Sequence, residues 1–512
     1  MNIIETKKDH NKHSKRIVSN TLVLFARMLI ITIVNLYTVR WVLNGLGTED
    51  YGIFNAIAGV VTASICISSV LALSTQRFYS YAMGQGNSKR LKEIFSASLN
   101  ITILLSIFII IVFEIVGPWF INNQLTISAN RIDTALVVFQ FSLFSFVCTL
   151  IQIPFIGAVF ANEDMSIYAL ISTIDCFSKL IIAYMIGHTP FDNLIFYSAA
   201  LMIEALLVLS FYVIIANLKY KECKHIRIED KSLYKELLSF SGWTFYGTIS
   251  SMGMTQGSII LLNIFFGPLT NAAFNIANQI YNALNTLANS INIAIRPSMI
   301  KAYSGKDQIY LNQLFVVANK ALLYLLAAVS IPLAFEMDTI LHFWLGTYTN
   351  EMALFSLLYI VFTIILCLHN PITTIIQATG HIKNYTIFVE SLTILNVPIC
   401  WGVFKLGYPS YTIFIVMISL CILAHVMRLI MLKKSKIGFS YTDYVMHFLL
   451  PGIIVIVINI IFIHGIRIII PDGLIKTCIT LVISPLILVV LAYIIGLNKA
   501  ERNTIQNFII KK

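Results

Sequence analysis

Acidic residues are scarce in this chain, with 24 Asp and Glu against 35 Lys and Arg in 512 positions, and only 12% of residues are charged. Soluble domains carry about a quarter of their residues charged, so this composition, at 58% hydrophobic, excludes that class. Cysteine is sparse too. Seven of the eight lie in or beside apolar stretches, only Cys223 sits in a charged loop, and no CxxC pair occurs, so neither a disulfide scaffold nor a zinc framework is indicated. There is no Walker motif and no nucleophile arrangement distinguishable from packing residues, so the chain reads as a non-enzyme with no metal or cofactor. Stretches such as ITILLSIFIIIVFEIV lack the period-two alternation of a membrane β-barrel. The N-terminal tail leads into a full-length apolar stretch without a short h-region and cleavage site, so no cleaved signal peptide is expected.

What the chain has instead is apolar length. Stretches of about 20 residues, enough to cross a hydrocarbon layer as a helix, lie near 18–42, 51–73, 94–117, 135–160, 167–187, 194–218, 237–262, 271–294, 314–335, 353–377, 384–404, 410–432, 447–470 and 476–496. These are spans 1 to 14, and they predict an all-α polytopic membrane protein of about fourteen transmembrane helices. With that threading 27 Lys and Arg fall on the side of the N-terminal tail and 5 on the other. Positive charge stays in the cytoplasm, so both termini are expected there. Trp41, Trp119, Trp344 and Trp401 fall near the opposite span ends, as an interfacial belt would. The net charge of +11 is then an orientation signal and a contact for anionic membrane lipids, with no nucleic-acid partner.

The two halves repeat. LNGLGTEDYGIFNAIAG from Leu43 matches LNIFFGPLTNAAFNIANQ from Leu262, RFYSYAMGQGNSKRLKEIF from Arg77 matches RPSMIKAYSGKDQIYLNQLF from Arg296, and PFIGAVFANEDMSIY from Pro154 matches PITTIIQATGHIKNY from Pro371. The offset is nearly constant from the first match to the last, which predicts parallel six-helix lobes at 17–218 and 237–432. A cytoplasmic tail precedes them at 1–16, a linker at 219–236 reads as a solvated connector, and spans 13 and 14 (433–498) and a tail at 499–512 follow.

Span 8 carries asparagine at 271, 275, 278, 282, 285, 289 and 292, in steps of four and three. That spacing puts seven amides on one helical face. They form either the wall of a hydrated cavity or a hydrogen-bonded helix seam. Candidate wall residues are Asn275, Asn278, Asn282, Asn285 and Asn289, with Thr248, Ser251 and Thr255 of the Thr244–Ser258 stripe on span 7, and Asn55 and Thr62 on span 2, where Ser69 continues the row. Arg27 lies roughly 16 Å beyond Arg16 along span 1, with Asn20 and Thr38 on its face, and is either a ligand-binding cation or half of an ion pair. Asp175 and Lys179 neutralise each other or form a relay. Glu204, Lys320 and Glu390 are further intramembrane charges. Glu114 and Glu336 read as interfacial, and His369 and His425 as packing residues. Arg77 and Arg296 occupy equivalent cytoplasmic span ends, suited to anchoring or to an anionic head group.

Two six-helix lobes plus a helix pair, the NGLGTEDYGIFNAIAG turn and the TQRFYSYAMGQGNSKRLKEIF segment resemble the polysaccharide-export branch of the MATE-like (MOP) flippase superfamily, which includes Wzx-type O-antigen flippases. The resemblance covers residues 17–432, with spans 13 and 14 as in its fourteen-span members. It implies a V-shaped pair of bundles in the bacterial inner membrane that carries a polyprenyl-diphosphate-linked oligosaccharide outward by alternating access, beside polysaccharide assembly proteins. In the lipid II relatives a mid-membrane arginine on span 1 matters for transport, and Arg27 resembles it. Arg27, Arg77 and Arg296 are then candidates for the diphosphate, and coupling would use an unidentified H+ or Na+ or the membrane potential. The rival is an ion-coupled multidrug or organic-cation antiporter of the MATE type, for which Asp175 and Glu204 speak.

Overall fold

The computed structural model describes residues 20–502, apart from 21–22, 29, 32–33, 36, 39, 48–49, 55–56, 58–64, 124–127, 381, 435–438, 472 and 499–500. Among the described residues every regular element is helical and no strand occurs. Among the described residues, eleven helices are long and apolar enough to cross a membrane: Ser88–Asn123, Ile132–Ala161, Met165–Met185, Asn193–Lys219 and Ser232–Phe266, then Gln308–Phe335, Asn350–Thr379, Lys383–Lys405, Thr412–Lys434, Tyr441–Ile469 and Leu474–Gly496. They carry spans 3 to 7 and 9 to 14. Span 8 is a single helix of 37 residues, Pro268–Ser304, whose asparagines keep it below the same apolarity. The end of span 2 is the helix Ile65–Gly84.

Two compact units divide the described residues between Phe245 and Tyr246, inside the helix of span 7. The linker and the start of that helix belong with the first unit. In the first unit span 4 packs on span 6, and its second half packs on the end of span 2. Phe139, Leu143, Phe146 and Leu150 of span 4 are buried there with Leu194 of span 6. A Cβ at Gly117 of span 3 would run into the Phe139 ring, so only glycine admits that approach. In the second unit span 8 packs on spans 9 and 10. Its Tyr281 ring stacks on Tyr359 at 4.8 Å, and Phe274 lies 5.6 Å from both Tyr359 and Phe414.

The repeat is visible in the backbone. Span 4 breaks at Gln152, just before Pro154, and span 10 breaks at Leu368, just before Pro371. Proline has no N–H for the helical ladder and clashes with the preceding turn, so both helices restart there. Left-handed residues recur in matching pairs: Gly47 and Gly267, Gly86 and Lys306, Glu163 and Gly380, Gly187 and Gly407.

One cross-helix clamp recurs with its polarity reversed. Arg131, at the start of span 4, donates to Asp50 and to Asp192. In the second unit the repeat puts Glu351 at the position of Arg131, and Glu351 accepts from Thr270 at 2.9 Å and from Ser410 at 2.6 Å. Thr270 in turn stands at the position of Asp50, and Ser410 two residues before that of Asp192. A basic hub with two acids in one unit is an acidic hub with two hydroxyls in the other.

The linker keeps most of its side chains exposed, yet it is not a free tether. It docks on its own unit because its charges find partners there: Glu229 meets Lys89 at 2.6 Å, Asp230 and Glu236 meet Arg90 at 3.1 and 3.6 Å, and Lys219 meets Asp164 at 3.0 Å. The Ile226 amide donates to Ser96 at 2.8 Å. Glu336, at the end of the span 9 helix, is sheltered within the protein. It is buried, and it accepts from Arg467 and, at 2.8 Å, from Thr477.

The clamps and the left-handed residues yield two measurements. Burial alone would raise the Asp192 carboxyl, but Arg131 and the amides of Ile195 and Leu194 outweigh it and hold it below the ordinary carboxylate value. A depressed folded-state value stabilises above the unfolded value of about 3.9, and that stability is lost as pH falls through the folded value. The melting midpoint of the detergent-solubilised chain should therefore drop on acidification below about pH 4, and Asp192→Asn should start lower and show a shallower drop. An unchanged slope would remove the clamp from the account. Lys306→Gly relieves a left-handed lysine and should raise the midpoint, by about 1 kcal/mol of stability, whereas Gly407→Ala should lower it by a similar amount.

Candidate functional site

The first unit holds an open-sided cavity of about 460 Å³ lined by spans 1, 4, 5 and 6 and by Phe54 of span 2. Two helices line it with polar side chains at helical periodicity. Span 4 contributes Ser142, Ser145, Thr149 and Gln152, in steps of three, four and three, and span 5 contributes Tyr168, Ser172, Asp175 and Lys179, in steps of four, three and four. Span 6 adds Ser198, Glu204 and Tyr212, and span 1 adds Arg27.

Charge is unevenly arranged in this space. Arg27 donates through Nε to Ser172, lies 3.3 Å from the Tyr168 hydroxyl and sits 4.6 Å from the Tyr168 ring centroid. No carboxylate among the described residues pairs with it. One and two turns further along span 5, Lys179 holds Asp175 at 2.7 Å and stands 4.0 Å from Glu204. Two carboxylates thus share one ammonium, while the guanidinium is held by neutral groups. The hydroxyls of Ser145, Thr149, Ser172 and Ser198 donate to carbonyls of their own helices. Their oxygens therefore present lone pairs. Gln152 Oε1 and Glu204 Oε1 are buried without a partner among the described residues. The cavity accordingly offers one fixed, unpaired cation and a wall rich in acceptors.

Four of the residues singled out from the sequence, Arg27, Asp175, Lys179 and Glu204, come together here. The remaining charges do not. Arg77 is buried in the first unit outside the cavity, with its guanidinium 4.5, 5.1 and 5.4 Å from the rings of Phe78, Tyr81 and Phe240. Arg296 belongs to the second unit and donates to Gln377 Oε1, while its Nε is buried without a partner among the described residues. Lys320 is buried against Glu501, at 2.8 Å. Glu390 accepts from Arg428 at 3.1 Å and from Tyr385 at 2.8 Å. These last two pairs are closed, because each charge already has its partner. His369 and His425 stack at 5.1 Å as packing partners. Asn20 and Thr38, expected to continue the Arg27 face, bond to the Glu163 and Val34 carbonyls and do not line the cavity. Asn55 and Thr62 lie outside the described residues.

Sequence reasoning passed over the span 4 row, though its spacing is that of the asparagine row. Single hydroxyls among Phe, Leu and Val read as apolar helix. It also passed over Arg428, which stands near Lys433 and Lys434 and looks like part of a basic loop, yet is buried within the helix Thr412–Lys434.

The asparagine row divides. Asn278 accepts from Tyr359 at 3.2 Å, Asn292 accepts from Thr374 at 3.5 Å, and Asn285 lies 3.4 Å from Tyr281, all half-buried towards span 10 or along their own helix. Asn275, Asn282 and Asn289 are exposed on their own unit, and Asn275 donates to the Asn271 carbonyl of the same helix. On span 7, Ser251 and Thr255 donate to the Gly247 and Ser251 carbonyls at 3.2 and 3.3 Å, Thr248 is half-buried, and Ser258 accepts from Asn396 of span 11 at 3.0 Å. Part of each stripe is a seam and part faces outward.

The fold of the chain is that of the MATE transporters. A mutant MATE protein superposes with a TM-score of 0.72 over 82% of this chain and 96% of its own, at 14% identity. An outward-facing multidrug resistance MATE family transporter of the MOP superfamily gives 0.70 over 83% and 96%, at 15% identity. A MOP superfamily transporter from Pyrococcus furiosus, whose binding pocket of reverse polarity suggests a different function for it, gives 0.68 over 84% and 97%, also at 15%. No family profile matches the chain, and no curated protein does.

The division of the asparagine row is open to a direct check. In a cysteine-free background, single cysteines at 275, 282 and 289 should react with a membrane-impermeant thiol reagent, and cysteines at 278 and 285 should react at least several-fold more slowly. Uniform protection of all five positions would mean that the exposed column faces lipid or protein rather than water.

Proposed function

We propose that this chain is a transporter in the bacterial cytoplasmic membrane, and that its cargo is a polyprenyl-diphosphate-linked oligosaccharide destined for surface polysaccharide. Alternating access would move it from the cytoplasmic to the outer leaflet, with both termini cytoplasmic. The observation that carries this reading is Arg27, a guanidinium on the cavity wall held by Ser172 and Tyr168 and by no described carboxylate. A cation fixed by neutral groups retains its full attraction for an incoming anion, and a guanidinium matches phosphate oxygens bidentately. The acceptor oxygens of Ser145, Thr149 and Gln152 suit saccharide hydroxyls, which must donate. Amides in contact with hydrocarbon would cost several kcal/mol, so the exposed column at Asn275, Asn282 and Asn289 suits a water-filled path. Arg77 and Arg296 do not line this cavity, so the diphosphate role in it is assigned to Arg27 alone.

The second reading, an ion-coupled antiporter for organic cations, is favoured by Glu204 Oε1, a buried acceptor with no described partner that could take a proton or a cation. The Pyrococcus furiosus transporter, with its reverse pocket polarity, supports judging cargo by the charge of the pocket rather than by the fold.

Proteoliposomes holding the full chain and a fluorescent polyprenyl-diphosphate oligosaccharide separate the readings. Arg27→Ala should slow flipping about ten- to a hundredfold, as expected for losing a charged hydrogen bond, and Arg27→Lys should keep part of the rate, at unchanged protein level and melting midpoint. Flipping that survives Arg27→Ala, together with ethidium efflux that Glu204→Gln abolishes, would establish the second reading.

A further inference from the structure

We infer that the docked linker forms a binding site for the phosphate of an anionic lipid headgroup, separate from the transport cavity. Between the linker and span 3 lies a groove of about 500 Å³ lined by Asn100, His225, Arg227, Lys231, Tyr234 and two isoleucines. Its walls are fixed. The Ile226 amide donates to Ser96 at 2.8 Å, His225 Nε2 lies 3.1 Å from Asn100 Oδ1, and Asn100 Nδ2 donates to the Tyr234 hydroxyl oxygen at 2.8 Å. Because the Tyr234 oxygen accepts, its own hydrogen is left to donate.

The nearby acids are already taken. Glu229 pairs with Lys89, and Asp230 and Glu236 pair with Arg90. No carboxylate among the described residues pairs with Arg227 or Lys231, whose side chains are exposed. The groove therefore presents a guanidinium, an ammonium and a phenol hydroxyl to a ligand, with no opposing charge, which is the donor set that a phosphate diester satisfies.

Position selects a lipid over free phosphate. Asn100 is the last amide or charge of span 3 before the apolar run 101–113, and Ile103, Leu104, Ile107 and Phe108 are exposed just beyond it. The groove thus sits where hydrocarbon gives way to head groups. Ile226 and Ile228 give it an apolar side, as the glycerol and first methylenes of a lipid require.

The test is native mass spectrometry of the full chain with phosphatidylglycerol, and with phosphatidylcholine for comparison. The wild type should retain phosphatidylglycerol preferentially, and the Arg227→Ala, Lys231→Ala pair should lose about tenfold or more of that retention, as expected for losing the charge-assisted hydrogen bonds that only these two cations can make to a phosphate seated in the groove. Tyr234→Phe should lose a few-fold. Lys224→Ala with Lys235→Ala, which removes the same charge from the same linker outside the groove, should change nothing. Equal loss in both pairs, no loss in the first, or displacement of the lipid by millimolar inorganic phosphate would each overturn the inference. All these side chains except Tyr234 are exposed, and a melting curve for each variant confirms that it is folded.

Discussion

A polar group inside a hydrocarbon layer must find a partner within the protein or face a water-filled space, and that requirement organises this structure. Residue types meet it differently. A serine or threonine on a helix can donate to the carbonyl one turn back, as Ser145, Thr149, Ser198 and Thr363 do, and so needs nothing from a neighbour. An asparagine amide, a carboxylate or a guanidinium has more capacity than its own backbone can absorb. Such groups mark the places where helices are tied together or where something else is meant to bind.

In the second unit several buried charges are tied, although Arg296 Nε and the exposed asparagines are not. Arg428, Glu390 and Tyr385 close on one another, Lys320 closes on Glu501, and Glu336 closes on Arg467 and Thr477. In the first unit they are left partly open, around one cavity. Two halves that share a helix plan thus differ in how their buried charges are paired. In the proposed function the cavity is the working part and the ion pairs of the second unit are fasteners. A buried pair of this kind contributes little net stability but makes the loss of one member costly.

Much of the plan was legible in the chain itself. The apolar lengths place eleven of the spans seen as helices, and the constant offset between the halves locates the paired breaks at Gln152 and Leu368, because proline and chain length act locally. The grouping of Arg27 with Asp175, Lys179 and Glu204 was not legible, since it depends on which helices meet. The span 4 hydroxyls were legible in principle by their spacing. They were hidden because a residue that can satisfy itself leaves no strong mark in an apolar sequence. The docking of the linker turned on Lys89 and Arg90 standing within reach of its acids, which composition alone cannot show. The asparagine row looked uniform and proved to have two sides, because a stripe with steps of four and three is wide enough to serve a seam along one edge and an open face along the other.

The left-handed residues carry a longer history than the side chains do. The interval from Gly47 to Gly86 equals that from Gly267 to Lys306, and the later intervals, through Glu163 to Gly187 and through Gly380 to Gly407, differ between the units by less than one helical turn. The glycines themselves are only partly retained, since Lys306 and Glu163 each stand where the other unit has glycine. Identity between the halves has eroded to the point where a clamp could exchange its charges, while the places where the chain bends have scarcely moved. A common ancestor of the two halves would be recognised by this barcode of bends after its letters had ceased to match.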